Sequence, residues 1–542
     1  MRATAIWSSL ATSPSHWTRT GRAKGTQCRL MARLVGGYGL LFALFGVGGA
    51  AGADLEAAAP HTVCATAVRE PAFLRIESTV EQGGVTGKTV RLIDLKSGRY
   101  RADHTLGINS GADGFDGAGA WTADAAGQVR PEEAEEARTA AIDQAYRYRW
   151  FCGAGRGDGV VARRRGAENG TPYEIITVHP VQGRAFTLWR DRRTGRLARM
   201  VEVGAFQTLT ETYSDYRRVG GLELAFATRV SNGEPRFDRV EHVTSVTFPN
   251  RASVAATAFA QPPDGPPDFI FPPGLSEVSI PFRVAANLVI VEPTLWNGQK
   301  AAFILDSGGV DLLFPETAAA LKLSPEGKFW GFGGGQSDFE TAQTLIPGFN
   351  LAGVAFGRQI FLVYPFPDLK AAIGAPDLAG LLGYEIFKRF VVKIDYAHHV
   401  VTLTLPDRFH YKGPGSILPF RFNGNIPEVD AQIDGLPGRI HVDTGDTGTV
   451  LLYSPWSHDH GLDRGQTVQK TTGAAGGETD FTITRIGSLK LGAATFSNID
   501  GAISLQRTGA LSNPYGAGLV GSGLFQGKTV IFDYSRRQLI IE

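Results

Sequence analysis

Between Asp54 and about Ala260, short segments in which β-branched and aromatic residues alternate or cluster (173–178, 185–189, 197–203 and 208–213) are separated by turn signals such as Arg193-Thr194-Gly195. That spacing predicts an antiparallel sheet. One interval breaks the pattern: residues 131–149 are rich in Ala and Glu with no Gly or Pro after the first position, which predicts a helix. Residues 261–273 then carry Pro262-Pro263, Pro266-Pro267 and Pro272-Pro273, a composition suited to a stiff linker.

Beyond the linker the pattern occurs twice. Strand-like apolar runs at 301–305 and 439–442 each follow a hairpin signal, Asn297-Gly298 or Asp434-Gly435, and each ends at an aspartate in Asp306-Ser307-Gly308 or Asp443-Thr444-Gly445. Further landmarks keep step: Pro281-Phe282-Arg283 with Pro419-Phe420-Arg421, Leu381-Leu382-Gly383 with Leu519-Val520-Gly521, and Asp395-Tyr396 with Asp533-Tyr534. The separations are 138, 137, 138 and 138 residues in chain order. A constant offset over four landmarks predicts a duplicated domain, and two copies make a pair of lobes rather than a solenoid. The organisation expected is a leader at 1–53, a β-rich domain at 54–260, the linker at 261–273 and lobes at 274–410 and 411–542, mainly β throughout.

Composition alters this picture mostly at the N-terminus. With 68 Gly, 29 Pro and 3 Met in 542 residues, the chain favours short strands and turns over long helices. The formal net charge of +1 conceals an asymmetry, because residues 1–53 hold six Lys and Arg and no Asp or Glu. An apolar run at 34–50 follows Arg29 and Arg33 and precedes Ala51-Gly52-Ala53, the layout of a secretory signal; a membrane anchor is the rival reading of the same run. The expected location is periplasmic or secreted. Without the leader, 48 basic side chains face 53 acidic ones, so nothing in the charge predicts nucleic-acid binding. Cys64 and Cys152 would then remain, either as one disulfide or as two unrelated thiols.

The chemistry sits in the paired aspartates. A small hydroxyl residue and then Gly permit a sharp turn that leaves the carboxylate at a strand end. Two such turns facing each other would hold carboxyl groups close enough to share one proton, so that one acts as base and the other as acid on a water between them. This chemistry calls for no cofactor, no metal and no covalent intermediate.

On these residues the chain resembles the aspartic proteases of the retropepsin and pepsin kind, with both lobes in one polypeptide. The resemblance rests on the two tripeptides and on the apolar-apolar-Gly elements that follow 77 and 78 residues later. It implies a bilobal β-barrel module, Asp306 and Asp443 as the catalytic pair, and Ser307, Gly308, Thr444 and Gly445 as the supporting turns. It implies a peptide or protein substrate and a monomeric catalytic unit. It also implies Gly-rich flaps over the cleft, at 330–335 with Trp330, Phe332, Gly333 and Gly334, and at 473–477 with Gly473 and Gly476. Two departures stand out: Gly309 and Asp446 follow the tripeptides, and Asp446 is expected to face solvent and brace its loop, the alternative being a third carboxylate beside the pair.

The N-terminal region is weakly similar to periplasmic lipoprotein-carrier domains, through Trp121-Thr122-Ala123-Asp124, Leu188-Trp189-Arg190-Asp191 and Tyr213-Ser214-Asp215-Tyr216. That likeness implies a half-barrel around a greasy cavity and an apolar ligand, whereas the residues alone allow a plain docking or folding domain. Gly523 to Thr529 fails as a phosphate loop because Ser522 stands where Gly is needed, and His458-Asp459-His460 is expected in a solvated loop. The rival function is an exported binding or envelope-assembly protein whose cleft holds peptide without cutting it.

Overall fold

The computed structural model describes residues 72–150, 159–204, 207–331, 333–335, 337–366, 368–465 and 467–542. The leader, Cys64, Cys152 and Phe332 lie outside them. No helix among the described residues is long and apolar enough to cross a membrane.

Thirteen antiparallel strands from Phe73 to Thr247 form one curved sheet, closed at one end by the strand Val129–Glu132 and at the other by Val160–Glu168. The four predicted segments fall on strands of this sheet, Thr171–Val178, Phe186–Asp191, Leu197–Val203 and Thr208–Val219, with Ala185 one residue ahead of its strand. The helix runs over Glu135–Trp150, four residues short of its predicted start. The reason is Pro131, which pairs opposite Trp121 in the edge strand, where a residue without an N–H costs no ladder bond on its outer side. Ala141, Ala145 and Tyr148, one face at helical spacing, pack into a core with Leu74, Ile93, Tyr100 and Leu224.

The wall of the half-barrel is mixed. Tyr100, Leu106 and Ile176 share it with ion pairs, among them Arg91 on Glu241 through two bonds of 2.6 Å and Arg147 on Glu211 at 3.0 Å. In the Pro-rich stretch, Phe269–Ile270 pairs with Val354–Phe356, and Asp268 accepts from Arg389 Nε at 2.7 Å.

Behind the two lobes lies a shared six-stranded layer, in the order Glu277–Pro281, Val400–Thr404, Val391–Asp395, Thr529–Asp533, Gln538–Ile541 and Ser416–Asn423. Its centre is nearly two-fold: Lys393 pairs with Ile531, Val392 with Phe532 and Ile394 with Val530. Each lobe then lays down its strands in one order. In the first lobe it is Leu288–Val291, Ala302–Leu305, Leu378–Leu382, Leu312–Leu313, Gln359–Val363, Phe339–Ile346 and Glu326–Gly331; in the second it is Ile426–Ile433, Leu436–Asp443, Gly518–Gly521, Val450–Leu452, Ala494–Ser504, Gly477–Leu491 and Lys470–Ala474. A single apolar core, with Phe387, Phe422, Phe532 and Tyr534 near its middle, runs through both lobes and joins them.

Candidate active site

Each aspartate sits where a buried strand meets a tight turn. Ala302–Leu305 runs parallel to Leu378–Leu382, and the Asp306 N–H donates to Leu382 O at 2.9 Å; Leu436–Asp443 runs parallel to Gly518–Gly521, opposite which Asp443 falls. The apolar-apolar-Gly elements therefore support the turns directly. Within each turn the Gly N–H returns to the carboxylate, Gly308 to Asp306 Oδ1 at 2.8 Å and Gly445 to Asp443 Oδ1 at 2.9 Å.

The turns interlock across the lobes. Ser307 N–H donates to Thr444 Oγ1 at 2.9 Å, and Thr444 N–H donates to Ser307 Oγ at 3.0 Å. The same hydroxyls donate onward, Ser307 to Val442 O at 2.9 Å and Thr444 to Leu305 O at 2.8 Å. Both residues have no exposed surface, so each of these four bonds replaces water that cannot enter. Tyr534 OH reaches Ser307 O at 3.4 Å, while Tyr396 works through Ser522, whose hydroxyl donates to Thr444 O at 2.8 Å.

This grip presses the carboxyls together. A methyl group added at Gly308 would lie 2.3 Å from Asp443 Oδ1, and one at Gly445 would lie 2.5 Å from both Asp306 oxygens, so only glycine allows the approach. Burial raises the proton affinity of Asp306; burial and then the charge of Asp306 raise that of Asp443 well above the ordinary carboxylate range. Asp446 accepts from Gly448 N–H at 2.7 Å, which is the loop bracing expected of it. It does not face open solvent, however: it is half-buried on the wall of the cleft, and burial with the nearby Asp443 charge pushes it up to about 7. Its position is corrected accordingly, because the turn that forms its Asx bond faces inward.

Two hairpins roof the site. Their tips meet, with Gly335 N–H donating to Ala475 O and Ser337 N–H to Gly476 O, both at 2.8 Å. Gly334 O accepts from Gln506 Nε2 at 2.8 Å, Gly333 O accepts from Ala510 N–H at 3.1 Å, and Gly473 lies within the second hairpin, opposite Glu478. Trp330 lies 6.2 Å from Phe237 of the N-terminal domain, and its indole nitrogen is buried with no hydrogen-bond partner in the described structure. The cavity below the roof holds about 2000 Å³ and continues from Asp306 and Asp443 into the half-barrel, where Tyr100 and Arg91 line it.

Sequence reasoning missed the clasp that makes this continuity. Lys328 N–H donates to Gly83 O at 2.8 Å, Ile108 N–H to Glu326 Oε1 at 2.6 Å and Gln343 Nε2 to Leu106 O at 3.1 Å, while Phe329 packs with Val80 and Leu106. The first-lobe flap is thus gripped by the N-terminal sheet. Phe329→Ala should remove roughly 3 kcal/mol from that grip and speed amide hydrogen exchange across 326–346 about a hundredfold, with 436–443 unchanged. Exchange that stays at the wild-type rate would show that the flap is held from elsewhere.

Also missed were His441 and Tyr453, joined at 2.7 Å, and the pair of buried Asp311 and half-buried Glu385, where Glu385 Oε2 accepts from the Asp311 N–H at 2.8 Å. His441 stands two positions before Asp443 on one strand face, a signal available from strand periodicity. His458 and Asp459 close the helix Ser454–Asp459 instead of lying in a loop, since Pro455 at its start favours helix; His458 remains exposed and pairs with Asp463 at 2.9 Å.

Residues 429–522 match the family model described as aspartyl protease. No curated protein sequence matches the chain. Among solved structures it is similar to an aspartic proteinase from Irpex lacteus, at 12% identity over 49% of this chain and 96% of that one with a TM-score of 0.35. It is also similar to a retropepsin-like aspartic protease from Rickettsia conorii, at 21% identity over 24% and 96% with a TM-score of 0.18. A domain described as an outer membrane lipoprotein-sorting protein from Vibrio parahaemolyticus matches at 10% identity over 35% and 88% with a TM-score of 0.25, on the side of the N-terminal domain.

Proposed function

We propose that this chain is an exported aspartic endopeptidase in which Asp306 and Asp443 hydrolyse peptide bonds. The observation that supports it most is the interlocked pair of turns, which holds two carboxyls against one another with their backbone donors already in place. In this reading one proton is shared by the pair. The ionised member takes a proton from a water lying between them, the water oxygen bonds to the scissile carbonyl carbon, and the protonated member donates to the carbonyl oxygen. Collapse of the tetrahedral species breaks the C–N bond as the amine gains a proton. The roof of paired flaps would exclude bulk water while this happens.

A second reading, a binding or assembly factor that holds extended chain without cutting it, draws on the clasp that ties the first flap to the N-terminal sheet. One assay separates them. The purified full chain should cleave a denatured protein, a transition-state mimic of the aspartic-protease type should stop it, and activity per molecule should stay constant on dilution. Absence of cleavage would favour the holding role, and activity that collapses on dilution would mean that the pair forms between chains.

A further inference from the structure

The two halves of the cleft are built on one plan but lined with different chemistry. On the strand that ends at each aspartate, the residue two positions earlier shares the aspartate's face and flanks the pair. In the first lobe that residue is Ile304, whose cross-strand neighbour is Ile290; in the second it is His441, whose neighbour is Glu428. The residue leading into the following helix is Phe314 in the first lobe and Tyr453 in the second, anchored alike through their N–H groups to Ala379 O and Ala517 O. Three apolar side chains in one lobe thus correspond to Glu428, His441 and Tyr453 in the other, all six buried.

The polar three are neighbours. His441 Nδ1 lies 2.7 Å from Tyr453 OH, and His441 Nε2 lies 3.5 Å from Glu428 Oε1, too far for a hydrogen bond. Glu428 in turn accepts from Asn423 Nδ2 at 3.1 Å and Arg439 at 3.3 Å. Its affinity for a proton is lowered by His441 and Arg439 despite burial, so it stands as a carboxylate, which can only accept. The 2.7 Å contact is one hydrogen bond between the imidazole and the phenol, and it leaves the rest of the hydroxyl's hydrogen-bonding capacity unused. The unused bonding capacity of that hydroxyl is what remains for a ligand, and both His441 and Tyr453 line the cavity, as Ile304 does on the other side.

We infer that the cleft is asymmetric in specificity: the first lobe takes an apolar substrate side chain, and the second takes a side chain bearing a hydroxyl or amide group, which hydrogen-bonds to Tyr453. Burying polar groups beside the reacting bond discriminates strongly, because a substrate that cannot pair with them leaves them unsatisfied. This inference rests on the peptidase reading, and its test keeps the two apart.

A peptide library is digested with the full chain and the cut sites are sequenced by mass spectrometry; in parallel, the same library is passed over immobilised Asp306→Asn protein and the retained peptides are identified. Cut sites should carry an apolar residue on one side and a hydroxyl- or amide-bearing one on the other. Tyr453→Phe, which keeps the ring, should lower kcat/KM for hydroxyl- or amide-bearing peptides roughly 10- to 100-fold against their apolar isosteres and leave peptides apolar on both sides unchanged. A merely structural tyrosine would lower both classes together, and that result, or an apolar preference on both sides in the wild type, would overturn the inference. If nothing is cut yet the retained peptides still carry the hydroxyl or amide preference and lose it with Tyr453→Phe, the peptidase reading fails and the asymmetry stands.

Discussion

Asp306→Asn, Asp443→Asn and the double variant are each expected to lower peptide hydrolysis by at least about 10⁴-fold, with the double no worse than either single, because the two carboxyls act as one unit. The rate of the wild type is expected to fall on both sides of an optimum. Below it both members hold a proton and neither can take one from water; above it the shared proton is lost. Burial raises both groups, and the charge of Asp306 further raises Asp443, so the upper limb should lie well above the titration of a free carboxyl. The fold should survive these changes, and the sign follows from linkage. A carboxyl with a raised affinity in the folded state contributes stability at pH below its unfolded value and loses it as pH climbs through the folded value. The wild type should therefore lose stability from about pH 4 upward, through Asp446 near 7 as well as through the pair, and each Asn variant should lose less. Denaturation curves at pH 5 and 8 check this. Normal turnover by Asp443→Asn with an intact circular dichroism spectrum would refute the dyad.

Thr444→Val should be the next most damaging single change. It keeps the shape of the side chain but strands Ser307 N–H and Leu305 C=O, which lie in the closed interior with no route to water. Two orphaned buried groups cost roughly 2 to 5 kcal/mol, and the turns they align carry both aspartates. A loss of turnover of about 10²-fold is expected alongside the loss of stability, since sub-ångström placement of the carboxyls is what the interlock supplies. Thr444→Ser, which restores the hydroxyl, should recover most of both. If Thr444→Val lost stability but kept its rate, the interlock would be a structural bolt with no part in positioning the dyad.

How far the site could be read in advance depended on how local each signal was. Asp306 and Asp443 were legible because a strand, a hydroxyl residue and a glycine are needed within a few positions, twice and in step. The inward-facing Asp446 was not, since its loop bracing looks the same from sequence whichever way the turn faces. The helix was legible in kind but not in its start, because Pro131 could open a helix or sit on a sheet edge, and only the pairing with Trp121 decided it.

The sequence by itself determined the mainly β character, the two strand-and-turn copies and the carboxyl pair they present, all of which follow from side-chain periodicity and turn chemistry within short windows. Tertiary structure alone decided that the flap tips bond to one another, that Gly83, Leu106 and Ile108 hold the first flap, and that Glu428, His441 and Tyr453 form one polar line beside Asp443. The clasp and the tip contact join segments more than a hundred residues apart, and the polar line joins neighbouring strands and a helix start only after they pack. No repeat or motif marks such partners in the chain; they meet because folding buries backbone and side-chain polar groups that must each find an acceptor or a donor once water is gone.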